Sequence, residues 1–205
     1  HQMHLGSQSE AVIPYAQRLA RLPAFLQQLQ MESNGKRVDG EGHVLNLPSA
    51  PVVWGEPGTD SQHSFFQALH HSPQIQAIDF ILVREHEAGD RAYALQANAL
   101  AQIEALSLGQ ASEDPHRHYP GNRPCLVTLL PDLSPQSLGA LLALYEHKTA
   151  AMGWILRINS FDQFGVELGK VIAKAFEPLL RGESEAKGEA LSPATRLLID
   201  RLKMG

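Results

Sequence analysis

Ala77-Ile78-Asp79-Phe80-Ile81-Leu82-Val83 decides the fold class. An apolar run this short, without a regularly solvated face, reads as a strand buried on both sides, as in parallel sheets. Working outward, Pro51-Val52-Val53-Trp54 is a short apolar run of strand type ending at the turn Gly55-Glu56-Pro57-Gly58. Cys125–Leu130 is a third strand and 154–158 a fourth. Helices are expected between them. Thr59 with Gln62 forms a capping box that opens a helix to about His71. Residues 88–108 form a long helix stopped at Gly109, and Ser134-Pro135 caps and starts another to about Ala151. Asn159 or Ser160 caps a helix to about Leu180. Strand and helix therefore alternate over 52–180, the pattern of an α/β layered domain with a mainly parallel sheet.

The flanks read as helical. Residues 10–33 form one long helix with Pro14 near its start and Pro23 kinking or restarting it. Leu19, Leu22, Phe25, Leu26 and Leu29 mark its buried face, and Asn34-Gly35 supplies a left-handed stop. Gln28 and Glu32, four residues apart, stack on one face as an amide above a carboxylate. At the other end, 182–188 is a charged linker and Ser192-Pro193 opens a terminal amphipathic helix. The expected organisation is an N-terminal helical segment over 1–36, an α/β domain over 37–182, and a linker with a C-terminal helix over 183–205.

Composition narrows the function. In 205 residues, 43% are apolar and 19% charged, as in a folded globular chain. A net charge of -5 argues against nucleic acid or an anionic membrane as partner, because both require a basic face. Cys125 is the only cysteine, which rules out an intramolecular disulfide and suits the reducing cytoplasm. There is no apolar run long enough for a transmembrane helix and no signal-peptide pattern.

Several polar residues invite a chemical reading, each beside a plainer one. His63 falls in the first turn of its expected helix, where the dipole favours a neutral, proton-accepting ring; a surface histidine explains it equally well. His70 and His71 read as surface residues at that helix's far end. Gln163 and Lys170, seven apart, share a helix face, and Lys170 sits among Val166, Leu168, Val171 and Ile172 like a partly buried ammonium awaiting an anion. Taken singly, such a lysine is more often a snorkelling surface residue. His116 and His118 with Glu113 and Asp114 match no strong zinc spacing, so no metal is expected. The Gly55 to Gly58 turn is neither a Walker nor a Rossmann loop.

Six co-linear stretches are more specific: MESNGK (31–36), VVWGEPGT (52–59) with Gln62-His63, NALAQIEAL (98–106), GNRP (121–124), LGALLALYEHK (138–148) and NSFDQFGVELGK (159–170). Together they resemble the glucose-6-phosphate isomerase family, in its order and over most of the chain. The resemblance implies a three-layer α-β-α sandwich of the sugar-isomerase (SIS) type. It further implies a cytoplasmic glycolytic homodimer that needs no cofactor or metal and acts on a sugar phosphate. Glu32 matches the base that moves a proton between C1 and C2 through a cis-enediol. His63 matches the ring-opening histidine that completes the partner subunit's site, and Lys170 the lysine that assists ring opening. Gln28 and Gln163 match glutamines that contact substrate.

The chain departs from the family pattern at Asp60-Ser61, where Asn-Gly is usual and where a carboxylate would stand near His63, and at Phe164, where Trp is usual. The loop over 110–120 is shorter than in many relatives. The family's first sugar-isomerase domain, with its phosphate loop and enediolate-stabilising arginine, has no counterpart, so the sequence looks like a C-terminal portion. Two other readings stand beside an isomerase: an inactive sugar-phosphate-binding or dimerisation module, and part of a fusion with another sugar-phosphate enzyme.

Overall fold

A computed structural model describes residues 6–84, 90–183 and 191–203. Its centre is a four-stranded, all-parallel sheet in the order β2-β1-β3-β4, with β1 Ser9–Pro14, β2 Val52–Trp54, β3 Ala77–Val83 and β4 Cys125–Leu130. The register sets Ser9 against Val52, Val12 against Asp79 and Asp79 against Leu126. The last three strands stand where the apolar runs place them. β1 was expected to be helix, and the reason for the difference is burial. Ala11, Val12 and Ile13 are consecutive and wholly buried, which a sheet-centre strand achieves by pointing successive side chains to opposite faces. Pro14 ends the strand instead of starting a helix.

Each face carries its own core. On one, Ala11, Ile13, Ile78, Phe80 and Leu82 pack with Phe66 and Leu69 of α3 (Phe66–His71) and Ala99 and Leu106 of α4 (Asp90–Leu108). On the other, Val12, Val53 and Ile81 pack with Leu22 and Leu26 of α1 (Leu22–Leu26) and Leu141 and Tyr145 of α5 (Pro135–Leu156). The result is the expected α-β-α sandwich. Each fully buried aliphatic or aromatic side chain in it is worth about 1.5–3 kcal/mol.

Other elements differ from expectation in informative ways. Between β1 and β2 the chain forms a 3₁₀ turn (Gln17–Leu19), then α1 with Pro23 in its first turn, then a π-helical segment, Gln27–Glu32. Pro23 thus restarts the helix. The helix expected from Thr59 is broken into α2 (Gly58–Gln62) and α3, and no side chain caps α2; Ser61 Oγ instead donates to Gly58 O at 2.6 Å. The strand expected at 154–158 is the end of α5, which runs to Leu156 and stops at left-handed Arg157. Ser137, Leu141, Tyr145, Thr149 and Gly153 recur every four residues as its buried face, a helical period. Trp154 and Ile155 are exposed. Ser134 caps α5 as expected, and Gly109 ends α4 at φ +69.

After 160 the chain enters a 3₁₀ turn, Phe164–Val166, and then α6, Glu167–Leu180. Neither Asn159 nor Ser160 caps this helix. By its contacts the chain divides between Asp162 and Gln163 into two compact units. In the second, α6 contacts α7 (Pro193–Lys203), and Leu179 and Ile199 are buried. Most of the 182–188 linker lies outside the described residues.

Candidate active site

The π-helical segment carries Gln28 and Glu32. Its widened turn, with i to i+5 bonding, removes the direct i, i+4 stacking expected of those two residues. The segment is fastened to β2 at one residue from two sides. Gln27 Nε2 donates to Val53 O at 3.0 Å, and Val53 N donates to Met31 Sδ at 3.4 Å. Gln28 is exposed and Glu32 half-buried. Among the described residues the Glu32 carboxylate has no hydrogen-bond or ion-pair partner.

The rest of MESNGK is structural. Asn34, 1% exposed, donates to Thr149 O at 2.8 Å and accepts from Ser160 Oγ at 2.6 Å. Lys36 Nζ donates to the carbonyls of Glu32 (2.9 Å), Ser33 (2.8 Å) and Asp162 (2.9 Å), and pairs with Asp162 Oδ1 at 3.2 Å. Gly35 is not left-handed, contrary to expectation. Glycine is needed there because a Cβ would come within 2.3 Å of Met31 O. Gly153 is needed likewise, since a Cβ would reach 1.9 Å from Ser160 Oγ and close the gap Ser160 uses to meet Asn34. Sequence reasoning missed Asn34, Lys36, Ser160 and Asp162 as the braces of this turn. The fixed string MESNGK was the available signal, but their partners lie up to 126 residues away.

His63 is not in a first turn. It is the C-terminal cap residue of α2 (φ -89, ψ -7), exposed, with its amide donating to Asp60 O at 3.1 Å, so the dipole argument for a neutral ring does not apply. Asp60 and His63 form no ion pair among the described residues. His70, expected at the surface, is 8% exposed, with Nε2 3.0 Å from Gln102 Oε1 and its carbonyl receiving Arg123 Nη2 at 2.8 Å. A cavity of about 380 Å³, lined by Gln62, Phe66, His70, Gln102 and Tyr119 among others, includes none of the five candidate residues.

In the second unit, Gln163 precedes the helix in a non-helical conformation (φ -139), so it does not share a helix face with Lys170. Lys170 is exposed on α6 and not partly buried. Asp114 Oδ1 accepts from the His116 amide at 2.9 Å, a cap on a short exposed turn. No group of three metal-ligating side chains occurs among the described residues. Burial pushes the Cys125 thiol up to about 11, which leaves it protonated and a poor nucleophile at neutral pH. Among the described residues, no helix is long and apolar enough to cross a membrane.

A parallel sheet clothed by helices on both faces, with one unpartnered carboxylate on a braced turn, defines an α/β domain able to present an acid–base group. Residues 1–199 match the family Phosphoglucose isomerase, and the chain belongs to that family. It is 51% identical over 201 residues to a glucose-6-phosphate isomerase of Stenotrophomonas maltophilia, covering 97% of this chain and 39% of that protein. To one of Xanthomonas oryzae pv. oryzae it is 50% identical, with the same coverage. In structure it is similar to a crystal structure of a glucose-6-phosphate isomerase from Chlamydia trachomatis, at TM-score 0.84 and 36% identity, covering 99% of this chain and 39% of that one. The chain thus spans about two fifths of the length of the curated relatives it matches.

Proposed function

We propose that this chain is the part of a glucose-6-phosphate isomerase that carries the proton-transfer base, Glu32. The reaction interconverts glucose 6-phosphate and fructose 6-phosphate. An aldose–ketose shift through a cis-enediol needs one carboxylate that takes a proton from one carbon and returns it to its neighbour. A general base of this kind contributes about 10²–10⁴-fold. The observation that carries the reading is the Glu32 carboxylate itself: half-buried, without a partner among the described residues, and beginning a turn in which the Asn34 and Lys36 side chains are tied down. His63 and Lys170 are assigned to ring opening and Gln28 and Gln163 to substrate contact, each by its match to the family motif. His63 acts in a partner subunit's site, so the working form is a homodimer, in the cytoplasm. The phosphate loop and the enediolate-stabilising arginine come from an N-terminal sugar-isomerase domain. In the full-length protein, Glu32→Gln should cut isomerisation by about 10²–10⁴-fold in a coupled assay and leave sugar-phosphate binding nearly intact. Normal turnover in that variant would remove Glu32 as the base.

The 39% coverage of the relatives favours a second reading for the chain by itself: a sugar-phosphate-binding or dimerisation module without turnover. The same assay on the 205-residue chain separates the two. Isomerisation at the relatives' rate would show that the remaining three fifths are dispensable.

A further inference from the structure

Behind the sheet face that packs on α5 lies a charged cluster that the proposed reaction does not use. Glu10 of β1 and Asp79 of β3 are 6% and 4% exposed. Val12 is the register partner of Asp79, so Glu10 lies two residues away on the same face of the neighbouring strand. From α5, Lys148 Nζ pairs with Glu10 Oε1 and stands 3.6 Å from Asp79 Oδ2, while Tyr145 OH donates to Asp79 Oδ2 at 3.2 Å. On its other side β4 sets Leu126 against Asp79, which brings no charge.

Two buried carboxylates thus face one ammonium, and an uncompensated buried charge is too costly to persist where a proton can cancel it. We propose that Asp79 keeps a proton in the folded chain because it lies beside the buried Glu10 carboxylate, and that this protonated Asp79, with Lys148 and Tyr145, makes a pH-sensitive fastening between the sheet and α5. Burial, then the Glu10 charge, raises Asp79 from 3.8 to about 7, against the opposing pull of Lys148. Burial and the two carboxylates push the Tyr145 phenol upward, so it remains a donor. The cluster also adjoins the braced turn. Thr149 follows Lys148, and its carbonyl is the acceptor for Asn34.

The sign is opposite to that of an ordinary salt-bridged aspartate. An acid whose folded pKa is raised keeps a proton that the unfolded chain releases, so stability is greatest below the unfolded value and falls as pH rises to the folded one. Here the window runs from 3.8 to about 7. Urea unfolding of the 205-residue chain at steps across the upper part of that window reads the effect. The folded-to-unfolded ratio should fall by up to about tenfold per pH unit and level off above it. Asp79→Asn should remove most of that slope and be at least as stable as the native chain above the window, because an amide needs no proton. Glu10→Gln takes away the like charge and should shrink the slope, a second reading if the first variant does not fold. In infrared spectra the native chain should show a protonated-carboxyl carbonyl band below neutrality that is absent from the folded substituted chain. A native slope of zero, or an undiminished slope in the folded Asp79 or Glu10 variant, would overturn the proposal.

Discussion

Residues 31–36 and residues 163–170 both carry family motifs, yet they are held in place in different ways. In the first, Asn34 and Lys36 are both spent on bracing. Asn34 ties the turn to α5, Lys36 collects three carbonyls and one carboxylate, and Gly35 permits the close approach to Met31 O. In the second, Phe164 and Leu168 are 70% and 68% exposed, and Lys170 has no ion-pair partner among the described residues. A motif string alone does not reveal whether its residues hold the fold or stand ready for something else. The contacts do, and here they separate a scaffolded carboxylate from an ammonium on an open helix face.

The contrast can be broken by substitution, with stability read from urea unfolding. Asn34→Ala should cost the most, about 2–4 kcal/mol, because it removes two side-chain hydrogen bonds, to Thr149 O and from Ser160 Oγ, and leaves a gap where the 1% exposed amide stood. Lys36→Met should cost less, about 1–3 kcal/mol, since three carbonyls lose a charged donor but the methionine still fills the stem's space. Lys170→Ala should move stability by no more than about 0.5 kcal/mol, as expected for an exposed side chain away from any cap or core. Equal losses at Asn34 and Lys170 would dissolve the distinction between brace and free group.

Parts of this were legible in the residues. Ala77–Val83 and Cys125–Leu130 stand where their apolar runs put them, and Ser134-Pro135 marks the start of α5 as a cap and a first-turn proline should. The two misread elements share one cause. Ala11-Val12-Ile13 and Trp154-Ile155 are short apolar runs, and such runs fit a buried strand or a helix turn equally well. The first is buried from both sides and becomes β1; the second continues a helix whose buried face is already set by Leu141, Tyr145 and Thr149. For the site, Glu32 was singled out by its motif, whereas the broken helix at His63 and the late start at Gln163 were not visible. Each depends on how the neighbouring backbone is bonded, not on residue spacing.

By itself the sequence determined the α/β class, three of the four strands and the family, because local periodicity, turn chemistry and motif strings are written in neighbouring residues. Only the tertiary structure decided that residues 9–14 enter the sheet, that Asn34 and Lys36 are braces, and that the half-buried Lys148 meets the buried Glu10 and Asp79. The braces join positions 115 and 126 apart in the chain, and Glu10 and Lys148 are 138 apart. Burial and charge pairing are properties of distance in space, which chain order does not record.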